Sequence, residues 1–212
     1  MLHAFYGRQP RPRSKATPLH IRWVEQWRYL PAAAGNKSAS TMLRWAPVYV
    51  PTSCAREKVD DCKVHVSYHG CTPRPLSSSM SGWYQRLLWL RNIQINEYAE
   101  ANDIVVMYPQ AAGSDDVGEG CFNWASYEDG AHPRRTPHSV SVVYSLRGLD
   151  RACLSLRLSG PRAWRADPLF DTRLGVQLNT VINMLNDLRG ALNHSYSGEV
   201  TQVGEYAVPP FE

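Results

Sequence analysis

Ile104-Val105-Val106-Met107-Tyr108 is an unbroken succession of apolar and aromatic residues, bounded by Asn102-Asp103 before it and Pro109 after it. A strand with one wet face alternates polar and apolar residues. A run without that alternation needs cover on both faces, the condition of a parallel strand held between helices. Lys63 to Tyr68 reads as a second strand, β-branched on one face. Between them, residues 83–101 read as a helix, with Trp83, Leu87, Leu90, Ile93 and Tyr98 near helical spacing. Strand, helix and strand in that order make a right-handed crossover. The chain is therefore expected to be an α/β protein with a partial parallel sheet and flanking helices.

Three further stretches frame this unit. Val48-Tyr49-Val50-Pro51 reads as a short strand stopped by proline. From Thr172 to Leu192 the apolar positions Leu174, Leu178, Val181, Ile182, Leu185, Leu188 and Leu192 trace one face of an amphipathic helix, with Asp171 placed to cap it. That stripe is a face for packing on a sheet, not a cofactor box, and no cofactor or metal is expected. With 212 residues, 43% of them hydrophobic, the chain can build one domain with a real core. No apolar run approaches bilayer-spanning length, so no membrane partner is expected. Arg8, Arg11, Arg13 and Lys15 are followed by no apolar block of the secretory kind.

The formal charge of +4 is unevenly spread. Residues 1–45 carry eight Lys and Arg against Glu25 alone, and 130–168 carry seven Arg against Asp150 and Asp167. Both stretches contain proline and lack periodicity, which reads as solvated or disordered chain, not as a nucleic-acid-binding face. The expected organisation is a basic N-terminal segment (1–45) to which no fold is assigned, with Trp23, Trp27 and Tyr29 able to cover part of the core, a partial α/β domain (46–129), a disordered basic insertion (130–168), an amphipathic helix completing the domain (169–193) and a tail (194–212). The insertion, with Pro133, Pro137, Pro161 and Pro168, is long enough to suggest sequence foreign to the domain.

Among the five cysteines, Cys54 and Cys62 bracket a short polar loop and suit a local disulfide. Cys71 and Cys121 lie beside one turn and are placed to pair across it, leaving Cys153 over. Two bridges would imply an oxidising compartment, with which the Asn36-Lys37-Ser38 and Asn193-His194-Ser195 triplets agree; five reduced thiols are the alternative.

The segment richest in chemistry is Cys62-Lys63-Val64-His65-Val66-Ser67-Tyr68-His69-Gly70-Cys71, a strand running into a His-Gly-Cys turn. Together with Val48-Tyr49-Val50-Pro51-x-x-Cys54, Asn96-Glu97-x-Ala99-x-x-Asn102-x-Ile104-Val105-Val106-x-Tyr108-Pro109-Gln110-Ala111 and Gly120-Cys121-x-x-Trp124-x-x-Tyr127, it resembles the extracellular poly(3-hydroxybutyrate) depolymerases, esterases of the α/β-hydrolase type. The resemblance covers roughly 46–129 and resumes over 169–192. It implies a Ser-Asp-His triad, but the chain contains no Gly-x-Ser-x-Gly turn, so no catalytic residue is carried over. It implies that the backbone N–H of Cys71 donates to the oxyanion of the tetrahedral intermediate, and that Trp124 lines the ester crevice. Phe122 stands where the family usually has tryptophan, and Asn123 where aspartate is common.

Those residues favour the oxyanion side of a secreted serine esterase, a fragment inactive by itself, whose complete form would take a polyester or another ester. The alternatives are a non-catalytic module holding polyester or carbohydrate on Trp124, and an esterase of feruloyl or acetyl sugar esters. His69 next to Gly70 is expected to fix the turn, and His65 with His69 to be a structural pair for want of a third ligand. His194-Ser195-Tyr196-Ser197-Gly198 imitates a nucleophile turn but follows a helix where a strand is required. Ser77 to Ser81 reads as a loop.

Overall fold

The computed structural model describes residues 11–32, 42–55, 59, 61–70, 87–111, 122, 141–144, 175–203 and 205–209. Five strands form the main sheet: β1 (Ile21–Glu25), β2 (Trp45–Tyr49), β3 (Lys63–Ser67), β4 (Ile104–Met107) and β5 (Ser141–Tyr144), in the order β1-β2-β4-β3-β5. β3 and β4 are parallel, pairing Lys63 with Ile104 and Val66 with Met107. The other three pairings are antiparallel, so among the described residues the expected parallel sheet is a mixed one with a single parallel pair.

The unbroken apolar run of β4 has the double cover that it requires. Val105 and Met107 join Val64 and Val66 of β3 on one face, where Val181, Met184, Leu185, Leu188 and Ala191 pack against them. Ile104, Val106 and Tyr108 face the other way, onto Leu87, Leu90 and Ala99. Successive residues alternate between two separate cores, as the period of a strand dictates.

Two single-helix expectations divide in two. Residues 87–92 are helical, but Gln94 takes a left-handed backbone (φ 55°) and α1 starts afresh at Ile95–Asn102. Asp103, also left-handed (φ 58°), ends α1 and returns its N–H to the Ala99 carbonyl. Tyr98, counted in the apolar stripe, is exposed. The C-terminal helix starts at Val176 behind an N-cap Gly175, and Asp171 lies outside the described residues. It breaks at Asp187 into α2 (Val176–Asn186) and α3 (Leu188–Asn193). The Asp187 carboxylate accepts from the Tyr29 hydroxyl at 3.0 Å and lies where a Cβ on residue 190 would stand, so a larger residue in place of Gly190 would displace it.

Parts of the N-terminal segment, of the basic insertion and of the tail belong to the fold. In 1–45, β1 pairs along the whole of β2, and Trp23 is buried with its indole N–H on the Ala207 carbonyl. Part of the basic charge there meets carboxylates, Arg11 on Asp103, Arg13 on Glu97 and Arg44 on Glu25. In 130–168, β5 pairs with β3 and covers its free edge. In the tail, β6 (Thr201–Val203) and β7 (Tyr206–Val208) form a hairpin that buries Tyr206 and Val208. Charge and proline content concealed β1 and β5 because a short edge strand takes its order from the strand that it pairs with.

The Cys54–Cys62 disulfide forms, with Cα atoms 6.0 Å apart. It closes the loop between β2 and β3 against the core face that α2 and α3 cover.

Candidate functional site

Because β3 and β4 run parallel, the segments that follow them, 68–70 and 108–111, leave the sheet at the same end. Open α/β sheets bind ligands at this end, where loops from neighbouring strands converge. The two segments are tied together by His69. Its ring is buried, Nδ1 lies 2.8 Å from the Gly70 carbonyl oxygen, and Nε2 lies 3.2 Å from the Ala111 nitrogen. A carbonyl only accepts and a peptide N–H only donates, so these partners assign the proton to Nδ1 and leave Nε2 as the acceptor. With both nitrogens engaged, His69 fixes the turn and has no nitrogen free to serve as a base.

The loop after β4 is held from its other side by Gln26, which is fully buried. The Gln26 amide nitrogen donates to the carbonyls of Leu43 (2.6 Å) and Gln110 (3.0 Å), and its oxygen accepts the Gln110 N–H at 3.0 Å. Leu43 N–H adds a bond to the Gln110 carbonyl, and Met42 bridges Ala111. One side chain thus bonds backbone groups of two segments remote in sequence.

Aromatic rings build the wall beside the turn. Phe122 is buried edge-on to Tyr68 (centroids 5.0 Å apart) and tilted against His69 (4.9 Å). Trp89 meets His69 at 6.3 Å and Tyr108 at 5.7 Å, both T-shaped. The Tyr108 hydroxyl donates to the Asn96 side chain at 2.6 Å, and its burial pushes the phenol far above its ordinary range.

Cys71, Cys121, Cys153, Trp124, Asn123 and Ser77 to Ser81 lie outside the described residues. His194 to Gly198 is a turn that follows α3: Ser195 N–H returns to the Leu192 carbonyl, Tyr196 N–H caps the Trp23 carbonyl, and the Tyr196 hydroxyl donates to Glu199. It has a helix before the serine and no helix after it, the reverse of a nucleophile elbow. His65 is buried with both ring nitrogens lacking a hydrogen-bond partner, and burial lowers it to about 4. Among the described residues no group of three His, Cys, Asp or Glu is arranged to hold a metal ion.

Sequence reasoning missed Gln26 and Trp89. The signal for Gln26 was present, a lone amide between Val24 and Trp27 in a stretch of aromatics, but its partners Leu43 and Gln110 are remote in sequence.

No family model matches the chain. A poly(3-hydroxybutyrate) depolymerase of Delftia acidovorans is 28% identical over 102 residues, 48% of this chain and 18% of that protein. A polyhydroxybutyrate depolymerase of Talaromyces funiculosus is 29% identical over 107 residues, 45% of this chain and 29% of that protein. A solved structure of a PHB depolymerase from Penicillium funiculosum is 26% identical, with a TM-score of 0.42 over 60% of this chain and 39% of that one. The chain spans less than a third of the length of these two curated relatives.

Proposed function

We propose that this chain, a relative of the poly(3-hydroxybutyrate) depolymerases, forms the oxyanion side of a secreted polyester hydrolase, with the backbone N–H of Cys71 as donor and Trp124 as a wall of the ester crevice. The observation that carries the reading is His69, whose two bonds hold the Gly70 turn and the Ala111 loop together at the C-terminal ends of the parallel strands. A main-chain donor works by being fixed before charge develops, and loss of one such donor typically costs about 3–4 kcal/mol of barrier. The Cys54–Cys62 disulfide supports a site of action outside a reducing cytosol.

Ester hydrolysis by the acyl-enzyme route also needs an activated serine. No Gly-x-Ser-x-Gly turn occurs in these 212 residues, and the segment around Ser195 and Ser197 lacks the geometry of one. The reading therefore expects ester binding without turnover from this chain assayed alone. With p-nitrophenyl butyrate the expected rate is background; turnover that survives Ser195→Ala and Ser197→Ala overturns the missing-nucleophile argument. On polyester granules the chain should be retained, and Trp124→Ala should weaken retention about tenfold, the scale of one lost aromatic anchor. Retention unchanged by Trp124→Ala removes that residue from the crevice.

A further inference from the structure

We propose that Asn193 is an N-glycosylation site, which takes an oligosaccharide from a polyprenyl pyrophosphate carrier. The inference rests on the secreted reading above, because that carrier serves chains entering a secretory compartment. Asn193-His194-Ser195 has the form that the transfer requires: a side-chain amide, a residue other than proline, and a hydroxyl. Asn36-Lys37-Ser38 has the same form but lies outside the described residues.

The triplet alone says only that a transferase can accept the segment. The sugar is added while the chain is still entering the compartment, so the finished fold decides whether it is tolerated. A bulky hydrophilic group on a buried or hydrogen-bonded amide would strip that amide of its partners and force the surrounding packing open. Asn193 carries no such penalty: it is the last residue of α3, it is exposed, and no hydrogen bond or ion pair uses its side chain. Other side-chain amides are committed. Asn183 donates to the Tyr29 carbonyl and to Asn179, Asn102 donates to the carbonyls of Arg11 and Tyr98, and Asn96 is buried beneath the Tyr108 hydroxyl. Asn186 is exposed, but Leu188 stands where the hydroxyl is needed.

The backbone that carries Asn193 is ordered without its help. His194 N–H returns to the Gly190 carbonyl at 3.0 Å, Ser195 N–H to Leu192 at 3.2 Å, and Tyr196 N–H to Trp23 at 2.8 Å, while the Tyr196 ring packs edge-on against Trp45. In the transfer, Nδ2 of Asn193 forms a bond to the anomeric carbon and gives up one proton. The anomeric C–O bond breaks, and the polyprenyl pyrophosphate leaves with its electron pair.

The test is translation of the full chain behind a secretory leader in the presence of microsomes, scoring only the protease-protected molecules. A glycan-specific amidase in heavy-oxygen water should convert residue 193 to a labelled aspartate. Asn193→Gln and Ser195→Ala should each remove one glycan from the gel shift, and Ser195→Thr should keep it. An unlabelled Asn193 in protected chain overturns the proposal, as does a shift that Asn193→Gln leaves unchanged. Glycosylated molecules should contain the Cys54–Cys62 bridge as often as Asn193→Gln does; a bridge formed only in the variant would mean that the fold rejects the sugar, which also overturns the proposal. The secreted reading fails separately: Cys54 and Cys62 reduced in parent and variant alike would remove its support, whatever residue 193 carries. If no chain is protected, both readings fall together.

Discussion

His65 makes the stability of the chain depend on acid in a calculable way. It lies mid-β3, 0% exposed, on the face opposite Val64 and Val66, with neither ring nitrogen hydrogen-bonded. Burial favours the neutral ring and lowers the group from 6.5 to about 4. Above pH 6.5 the ring is neutral in both the folded and unfolded chain and contributes no pH dependence. As pH falls below 6.5 the unfolded chain takes up a proton that the folded chain refuses, so stability drops until the folded form also protonates near pH 4. At 1.36 kcal/mol per pKa unit the full loss is about 3 kcal/mol, of which about 2 kcal/mol has gone by pH 5. His65→Leu removes the titration and two unpartnered buried polar atoms while nearly conserving volume. It should leave stability at pH 7.5 unchanged or raise it by about 1–2 kcal/mol, and flatten the decline towards pH 5. Urea unfolding followed by tryptophan fluorescence at half-unit pH steps measures both, because carboxylates common to the two proteins cancel in the difference. Parallel parent and variant profiles between pH 7 and 5 would refute the argument, as would a His65 resonance in the folded chain titrating near 6.5.

Two other perturbations have sizes set by the structure. Replacing Cys54 and Cys62 by serine frees a loop closed at a sequence separation of 8, for which chain entropy gives about 2.5 kcal/mol, and the thermal midpoint should fall accordingly; an unchanged midpoint would mean that the loop keeps its order without the bridge. Gln26→Leu removes three buried hydrogen bonds, to the Leu43 carbonyl and to the Gln110 carbonyl and N–H, so a loss of about 2–4 kcal/mol is expected in the same assay, with Gln26→Glu no better because an acid at that place cannot donate to both carbonyls.

How far the fold was legible depended on whether its determinants were local. The run Ile104 to Met107 announced a doubly covered strand because period is visible within a few residues, and Cys54 with Cys62 announced a bridge because eight positions limit the geometry. The double cover was right although only one neighbour of β4 is parallel, since burial constrains sequence and strand direction does not. Ile21–Glu25 and Ser141–Tyr144 were hidden in basic, proline-containing stretches, because an edge strand takes its order from the partner that it pairs with. The break between α2 and α3 was hidden too: the spacing of Leu185, Leu188 and Leu192 continues through Asp187, whose role depends on Tyr29, far away in sequence. At the site, the adjacency of His69 and Gly70 made turn-fixing readable. Its cross-strand partner Ala111 and the staple Gln26 were not, because register between β3 and β4 decides who meets whom.

That register also explains why the two ends of β3 differ chemically. His65 pairs with Val106 in the middle of the strand and is buried without polar partners, whereas His69, four residues on, has passed the end of the ladder and accepts the Ala111 N–H of the neighbouring loop. Inside the ladder every backbone group is already satisfied, so an imidazole there can only be solvated by hydrocarbon. Just beyond it, backbone groups still need partners, and the same side chain becomes the cheapest way to supply them. The loop after β4 solves the same problem with Gln26. Both solutions use neutral side chains, which leave the field at the strand ends to the peptide dipoles themselves.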